Sequence, residues 1–134
     1  MASASTRRTG KYATAVEIRS HRLIADEPSE VEGGTDAGPT PTEFLAASLA
    51  SCTAITMELY AEHKGWELGA VDVDVDWPNA IEGGKQLEVE IRVPAELSDE
   101  QRERLLVIAG RCPVHRLLES KDVEITDSLE LLEP

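Results

Sequence analysis

Aromatic side chains are scarce: one Phe, two Tyr and two Trp make up 4% of the 134 residues. Any core must come from Val, Leu, Ile and Ala, within an ordinary hydrophobic content of 41%. Basic residues are outnumbered, 13 against 26 acidic, for a net charge of −13. That balance argues against nucleic acid and anionic membrane surfaces as partners, because both require a basic footprint. The acidic residues are spread along the chain, as expected of a solubility feature. Long apolar runs are also missing. The longest, around Phe44 to Ile55, is broken by Ser and Thr and is too short for a bilayer span. The opening MASASTRRTG lacks the apolar stretch of a secretory signal. It reads as a disordered tail over residues 1–10, ahead of a single domain over 11–134. There are only two cysteines, Cys52 and Cys112. Without a secretory signal they are expected in the reducing cytoplasm, as buried thiols or redox groups rather than a permanent staple. Their spacing fits no zinc pattern. No G-x-S-x-G, phosphate loop or dinucleotide fingerprint occurs, so no metal or cofactor is expected.

What is present is a long apolar stretch from Gly38 to Gly65 with Cys52 in its middle. Thr40 is a helix N-cap, Pro41 suits the first helical position, and Glu43 completes a capping box. The spacing predicts a helix from Pro41 to about Lys64, stopped by Gly65. Leu45, Ser48, Leu49, Ile55, Thr56 and Leu59 share the face of Cys52. Ala46, Ala47 and Ala50 make the other side apolar too, which predicts burial on most sides. Before this helix, Tyr12, Thr14, Val16 and Ile18 alternate along one strand, and HRLIADEP returns as a second after a turn at Ser20 and His21. Residues Ser29 to Pro39 form a long Gly-containing loop, a candidate lid or pocket wall. After it, AVDVDVDW and QLEVEIRVP alternate as an antiparallel pair. The Asp72, Asp74 and Asp76 ladder reads as the solvated face of a half-covered sheet, since an EF-hand loop requires a central Gly and a closing Glu. Ser98 and Gln101 cap another helix with Leu105, Ile108 and Ala109 as its buried stripe. Cys112 and Pro113 open a short one, and Val123 to Leu132 is predicted as a last strand. Strand pairs interrupted by helices indicate an α+β fold with a mostly antiparallel sheet.

A thiol inside such a helix has two readings: a small inert hydrophobe, or a redox thiolate. The second requires a nearby cation or a helix N-terminus. Cys52 is mid-helix, so a cation must come from elsewhere, whereas Cys112 opens a helix and is better placed. One thiol attacking a peroxide and the other resolving the sulfenic acid is a scheme the composition permits. His63 is too far along the helix, roughly 16 Å, to form a dyad with Cys52. His115, three residues after Cys112, is a candidate neighbour of that thiol.

The stretch GGTDAGPTPTEFLAASLASCTAITMELYAEHKG, two alternating strands, a capped helix and CPVHRLLE together resemble the OsmC/Ohr family. The resemblance runs from about Lys11 onward. It implies an OsmC-like fold: an intertwined homodimer whose mostly antiparallel sheet wraps long cysteine-bearing helices, with active sites at the dimer interface. It implies a thiol-dependent peroxidase that reduces organic hydroperoxides in oxidative-stress defence. Cys52 then matches the peroxidatic cysteine and Cys112 the resolving one, and a dithiol of lipoyl or thioredoxin type restores both. The apolar residues Leu45, Leu49 and Ile55 are the candidate substrate pocket. One departure stands out. The peroxidases carry a glutamate ten residues before the peroxidatic cysteine, where this chain has Thr42; Glu43 lies one step off, about 100° around the helix. The arginine such a glutamate orients is unassigned, with Arg22 and Arg19 as candidates. The chain resembles the less characterised OsmC-like branch more closely, and two alternatives stand beside the peroxidase: a non-catalytic binding module of the same fold, or a structural dimer with inert thiols.

Overall fold

The computed structural model describes residues 1–133. Eight elements follow in order: β1 (Ser5–Arg8), β2 (Thr14–Ile18), β3 (His21–Ala25), α1 (Pro41–Lys64), β4 (Asp72–Asp76), β5 (Glu88–Arg92), α2 (Asp99–Ala109) and α3 (Pro113–Glu119). The fold is α+β, with one antiparallel sheet in the order β1-β2-β3 and another pairing β4 with β5.

Both ends of α1 follow from local chemistry. The Thr40 hydroxyl accepts from the Glu43 N–H at 3.3 Å, and the Glu43 carboxylate accepts from the Thr40 N–H at 2.9 Å. These bonds satisfy two donors that a helix start leaves unpaired. At the far end Gly65 is left-handed, φ 74°, where a side chain would be strained, and its N–H turns back to the Ala61 and Glu62 carbonyls. The buried side of α1 is one stripe at four-residue spacing: Leu49, Thr53, Met57 and Ala61. Met57 and Ala61 join Leu68, Leu97, Leu105 and Ala109 in the core between α1 and α2. The opposite side is open, with Ile55 60% and Leu59 62% exposed. The expectation of a helix buried on most sides is therefore corrected: β4, α2 and α3 contact α1, and they leave its Ile55 and Leu59 side uncovered. The expectation of no span-length segment is corrected as well. Once helical, α1 holds 18 residues of mean hydropathy 1.4, enough by length and composition for a membrane span, a test that core helices also pass.

Two further expectations fail at the termini. Ser5–Arg8 is a strand rather than a disordered tail; it pairs antiparallel with β2, Thr6 opposite Val16 and Arg8 opposite Thr14. All four of its residues are exposed, so no apolar alternation marks it and its order comes from the backbone ladder. Conversely, Val123–Leu132 forms no strand. Its polarity alternates, but a strand needs a partner edge, and among the described residues the two sheets contain only β1 to β5. Ile125, Leu129, Leu131 and Leu132 are left between 81% and 97% exposed. The first hairpin turns at Arg19, φ 53°, and Ser20, one residue earlier than expected. In the second hairpin Val73, Val75, Val89 and Ile91 face inward and half-buried, while Asp72, Asp74 and Asp76 are exposed. Arg92 bonds Asp74 at 2.7 Å and Glu90 at 3.0 Å across that outer face, exposed pairs that contribute little.

Candidate active site

Cys52 lies in the middle of α1, half-buried; Cys112 is the N-cap of α3 and has no exposed surface. Both are free thiols. Packing of α3 against α1 makes the two thiols neighbours. Cys112 Sγ accepts the His115 N–H at 3.2 Å, as an N-cap acceptor does. Thr53 Oγ1 stands 3.9 Å from the same sulfur and also donates to the Leu49 carbonyl at 2.8 Å. Burial pushes the Cys112 thiol up; the His115 amide pulls against it, and the adjacent Cys52 thiol adds to the rise. The expectation that a helix start favours a thiolate at Cys112 is thus corrected. A helix of seven residues supplies one amide to the sulfur, and burial outweighs it.

The other predicted site residues are not brought together. Leu49 is buried, 3% exposed, and lines a cavity of about 360 Å³ with Lys85, Glu88, Val89, His115 and Glu119. Leu45 is half-buried and Ile55 is exposed. Arg22 pairs with Glu17 in the β2–β3 register, while Thr14, Val16 and Ile18 line the cavity side. Arg22 therefore belongs to the opposite face of the sheet. Arg19 extends to His21, 3.5 Å away. Among the described residues no arginine hydrogen-bonds to either thiol. The His115 ring places Nδ1 2.7 Å from Glu119 Oε1, without the geometry of a hydrogen bond. Glu43 is occupied by the helix cap, and the Thr40 N–H and hydroxyl hold its carboxyl below the usual range. Thr42 turns its hydroxyl to that of Thr40, 3.2 Å away.

A roomier apolar space lies elsewhere. A cavity of about 850 Å³ opens between the three-stranded sheet and α1, walled by Tyr12, Val16, Ile18, Phe44, Ser48 and Ser51. Its strand wall was legible as the alternating face of β2. Its helix wall was missed, although Phe44, Ser48 and Ser51 follow helical spacing. Ser48 lines this cavity and Leu49 the smaller one. Cys52 follows one turn further on and lines neither.

Asp26 closes one end of the larger cavity and anchors the loop that follows. It is buried, and its carboxylate accepts from the N–H groups of Glu27 at 2.7 Å, Thr35 at 3.2 Å and Ala37 at 3.1 Å, and from the Thr35 hydroxyl. Its own N–H donates to the Pro39 carbonyl at 3.0 Å. Gly38 passes so close to the Ile24 carbonyl that a Cβ there would strike it. The loop is thus a staked wall rather than a free lid. The Thr35 hydroxyl, followed by the Ala37 amide, holds the Asp26 carboxyl below its ordinary value of 3.8. Stabilisation from a depressed carboxylate is present above that ordinary value and lost as pH falls through the folded one. Asp26→Asn presents an amide to donors and is expected to melt below wild type at neutral pH. The gap should close on acidification toward pH 3.8 and below, as thermal scans across pH will show.

Comparisons with known proteins agree with this architecture. The family model described as OsmC-like protein matches residues 34–126. No curated protein matches the sequence. Among solved structures, a candidate osmotic-stress-induced and detoxification response protein from Psychrobacter arcticus superposes with a TM-score of 0.76 at 22% identity, over 87% of this chain and 88% of that one. An OsmC-like protein from Mycoplasma pneumoniae superposes at 0.74 with 18% identity, over 90% and 89% of the two chains. The organic hydroperoxide resistance protein OhrB of Bacillus subtilis does so at 0.57 with 18% identity, over 90% and 92%. At these identities the likeness shows the fold.

Proposed function

The chain belongs to the OsmC-like protein family, and on that premise we propose that it is a cytoplasmic thiol-dependent peroxidase acting on organic hydroperoxides. The observation that carries this reading is the meeting of two free thiols from distant parts of the chain, Cys52 on α1 and Cys112 at the cap of α3. Cys52 is the more open of the two and takes the peroxidatic role. Its thiolate attacks the distal oxygen of the hydroperoxide, the O–O bond breaks, and the alcohol leaves. The Cys52 sulfenic acid then condenses with the Cys112 thiol, releasing water and closing a disulfide. A dithiol of lipoyl or thioredoxin type restores both thiols, and the apolar cavity beside α1 favours an organic substrate over hydrogen peroxide.

A second copy completes the site in this reading. The bare side of α1 beyond Cys52, from Ile55 to Leu59, and the exposed apolar residues after α3, give a homodimer apolar surface to bury while Cys52 stays at its margin. A peroxidatic thiolate also needs a cation, which Arg22 of the second copy would supply. The test is hydroperoxide consumption with a dithiol by wild type and by Cys52→Ser, alongside solution mass against the 14.6 kDa of one chain. Loss of consumption in the variant and a mass of two chains are expected; equal rates would sink the mechanism. The alternative reading is a non-catalytic small-molecule binding module. The roomy apolar cavity, with no arginine bonded to either thiol among the described residues, favours it, and it predicts no sulfenic acid at Cys52 after hydroperoxide.

A further inference from the structure

The two sulfurs of the pair are unequally accessible. Cys112 is sealed: it has no exposed surface, an amide is directed at Sγ from 3.2 Å, and Thr53 stands 3.9 Å away. Cys52 keeps part of its surface open, one helical turn beyond Ser48 and Leu49, which line two different cavities. A thiolate that opens a disulfide must reach the sulfur it attacks, so access decides which sulfur carries the intermediate.

We propose that the Cys52–Cys112 disulfide is opened by attack on Cys52 Sγ, with Cys112 as the leaving sulfur, so that the reductant is carried on Cys52. The inference rests on the two-cysteine reading above and adds the site at which the reductant is bound. The thiolate of a dithiol reductant forms a new S–S bond to Cys52. The Cys52–Cys112 bond breaks, its electron pair passes to Cys112 Sγ, and that sulfur takes a proton. The second thiol of the reductant, deprotonated, then attacks the reductant sulfur of the mixed disulfide. Cys52 leaves as a thiolate and the reductant closes its own disulfide. Two electrons and two protons pass from the dithiol to the protein.

Access rather than leaving-group strength sets this direction, because burial holds the Cys112 thiol up and such a sulfur leaves more slowly. The His115 N–H already faces Sγ, so charge arriving on that sulfur meets a donor without rearrangement. Burial then favours the neutral thiol over the thiolate. A protonated Cys112 is a poor nucleophile, so it does not promptly expel the reductant from Cys52. The mixed disulfide persists long enough for the second thiol to finish.

The test forms the disulfide with diamide in reduced wild-type protein, adds glutathione briefly, quenches with acid and maps the adduct by mass after trypsin. Lys64 and Lys85 lie between the two cysteines, so their peptides separate. In native buffer the Cys52 adduct is expected to exceed the Cys112 adduct by at least ~10-fold, since attack follows access. In denaturing urea that preference should vanish. A native adduct mainly on Cys112, an even split, or failure of diamide to close the bond overturns the proposal. Because diamide closes the bond, a chain that passes here yet ignores hydroperoxides fails only the peroxidase reading.

Discussion

A Cys112→Ser variant is expected to lose its hydroperoxide reductase activity irreversibly under excess organic hydroperoxide, while wild type survives the same exposure. In the proposed mechanism the wild-type Cys52 sulfenic acid has the Cys112 thiol beside it and is captured as a disulfide. With serine at position 112 nothing captures it, so Cys52 climbs to sulfinic acid, from which a dithiol cannot recover it. The substitution isolates this chemistry because serine is itself a strong N-cap. Its hydroxyl can accept the His115 N–H that Cys112 accepts now, so the start of α3 is kept. Two measurements check the outcome: residual activity after a hydroperoxide challenge, and the mass of the Cys52 peptide with and without a sulfenic-acid trap. Wild-type resistance in the variant would mean that Cys112 does not resolve the intermediate.

The parts of this fold legible in the sequence are those whose causes lie within a few residues. Thr40, Pro41 and Glu43 specify the start of α1 because a cap is satisfied within one turn, and Gly65 its end because only the left-handed turn is needed there. Ser98 and Gln101 do the same for α2, and Cys112 with Pro113 for α3. The alternation of β4 and β5 follows from a sheet covered on one side. What escaped depends on partners. β1 has no pattern of its own and exists through its ladder with β2. Val123–Leu132 has the pattern but no edge to join. Periodicity tells which side of a strand is apolar, not whether a neighbour is available. The site divides in the same way. Both cysteines could be named from their positions, but their meeting depends on how α3 packs on α1, and the weak side of Cys112 on burial that no motif encodes. Asp26 was unremarkable in HRLIADEP because its donors arrive from as far as Ala37.

Leu105→Ala is expected to cost about 2–5 kcal/mol, the range for a buried leucine whose cavity does not collapse. Leu105 is 1% exposed and packs with Met57, Ala61, Leu68, Leu97 and Ala109 where α2 meets α1. Aromatics are few, so no large ring nearby can swing in to fill the space; Tyr60 and Trp66 are held edge to face, ring centres 5.7 Å apart, and Arg104 bonds the Tyr60 hydroxyl at 2.9 Å. With a urea slope of about 1–3 kcal/mol per molar, the midpoint should fall by roughly 1–3 M. Leu106 is the control. It is one residue away on the same helix but 68% exposed, and Leu106→Ala should stay within about 0.5 kcal/mol. The loss also reaches the thiols, because the turn after α2 hangs Cys112 from that helix: the Arg111 N–H donates to the Ile108 carbonyl at 2.9 Å and the Cys112 N–H to that of Ala109 at 3.4 Å. A loosened α2 lets Cys112 drift from Cys52, so diamide should close the disulfide more slowly in Leu105→Ala than in Leu106→Ala. A wild-type midpoint in Leu105→Ala would refute the assigned core. A lowered midpoint with unchanged disulfide closure would show instead that α3 holds Cys112 in place without help from α2.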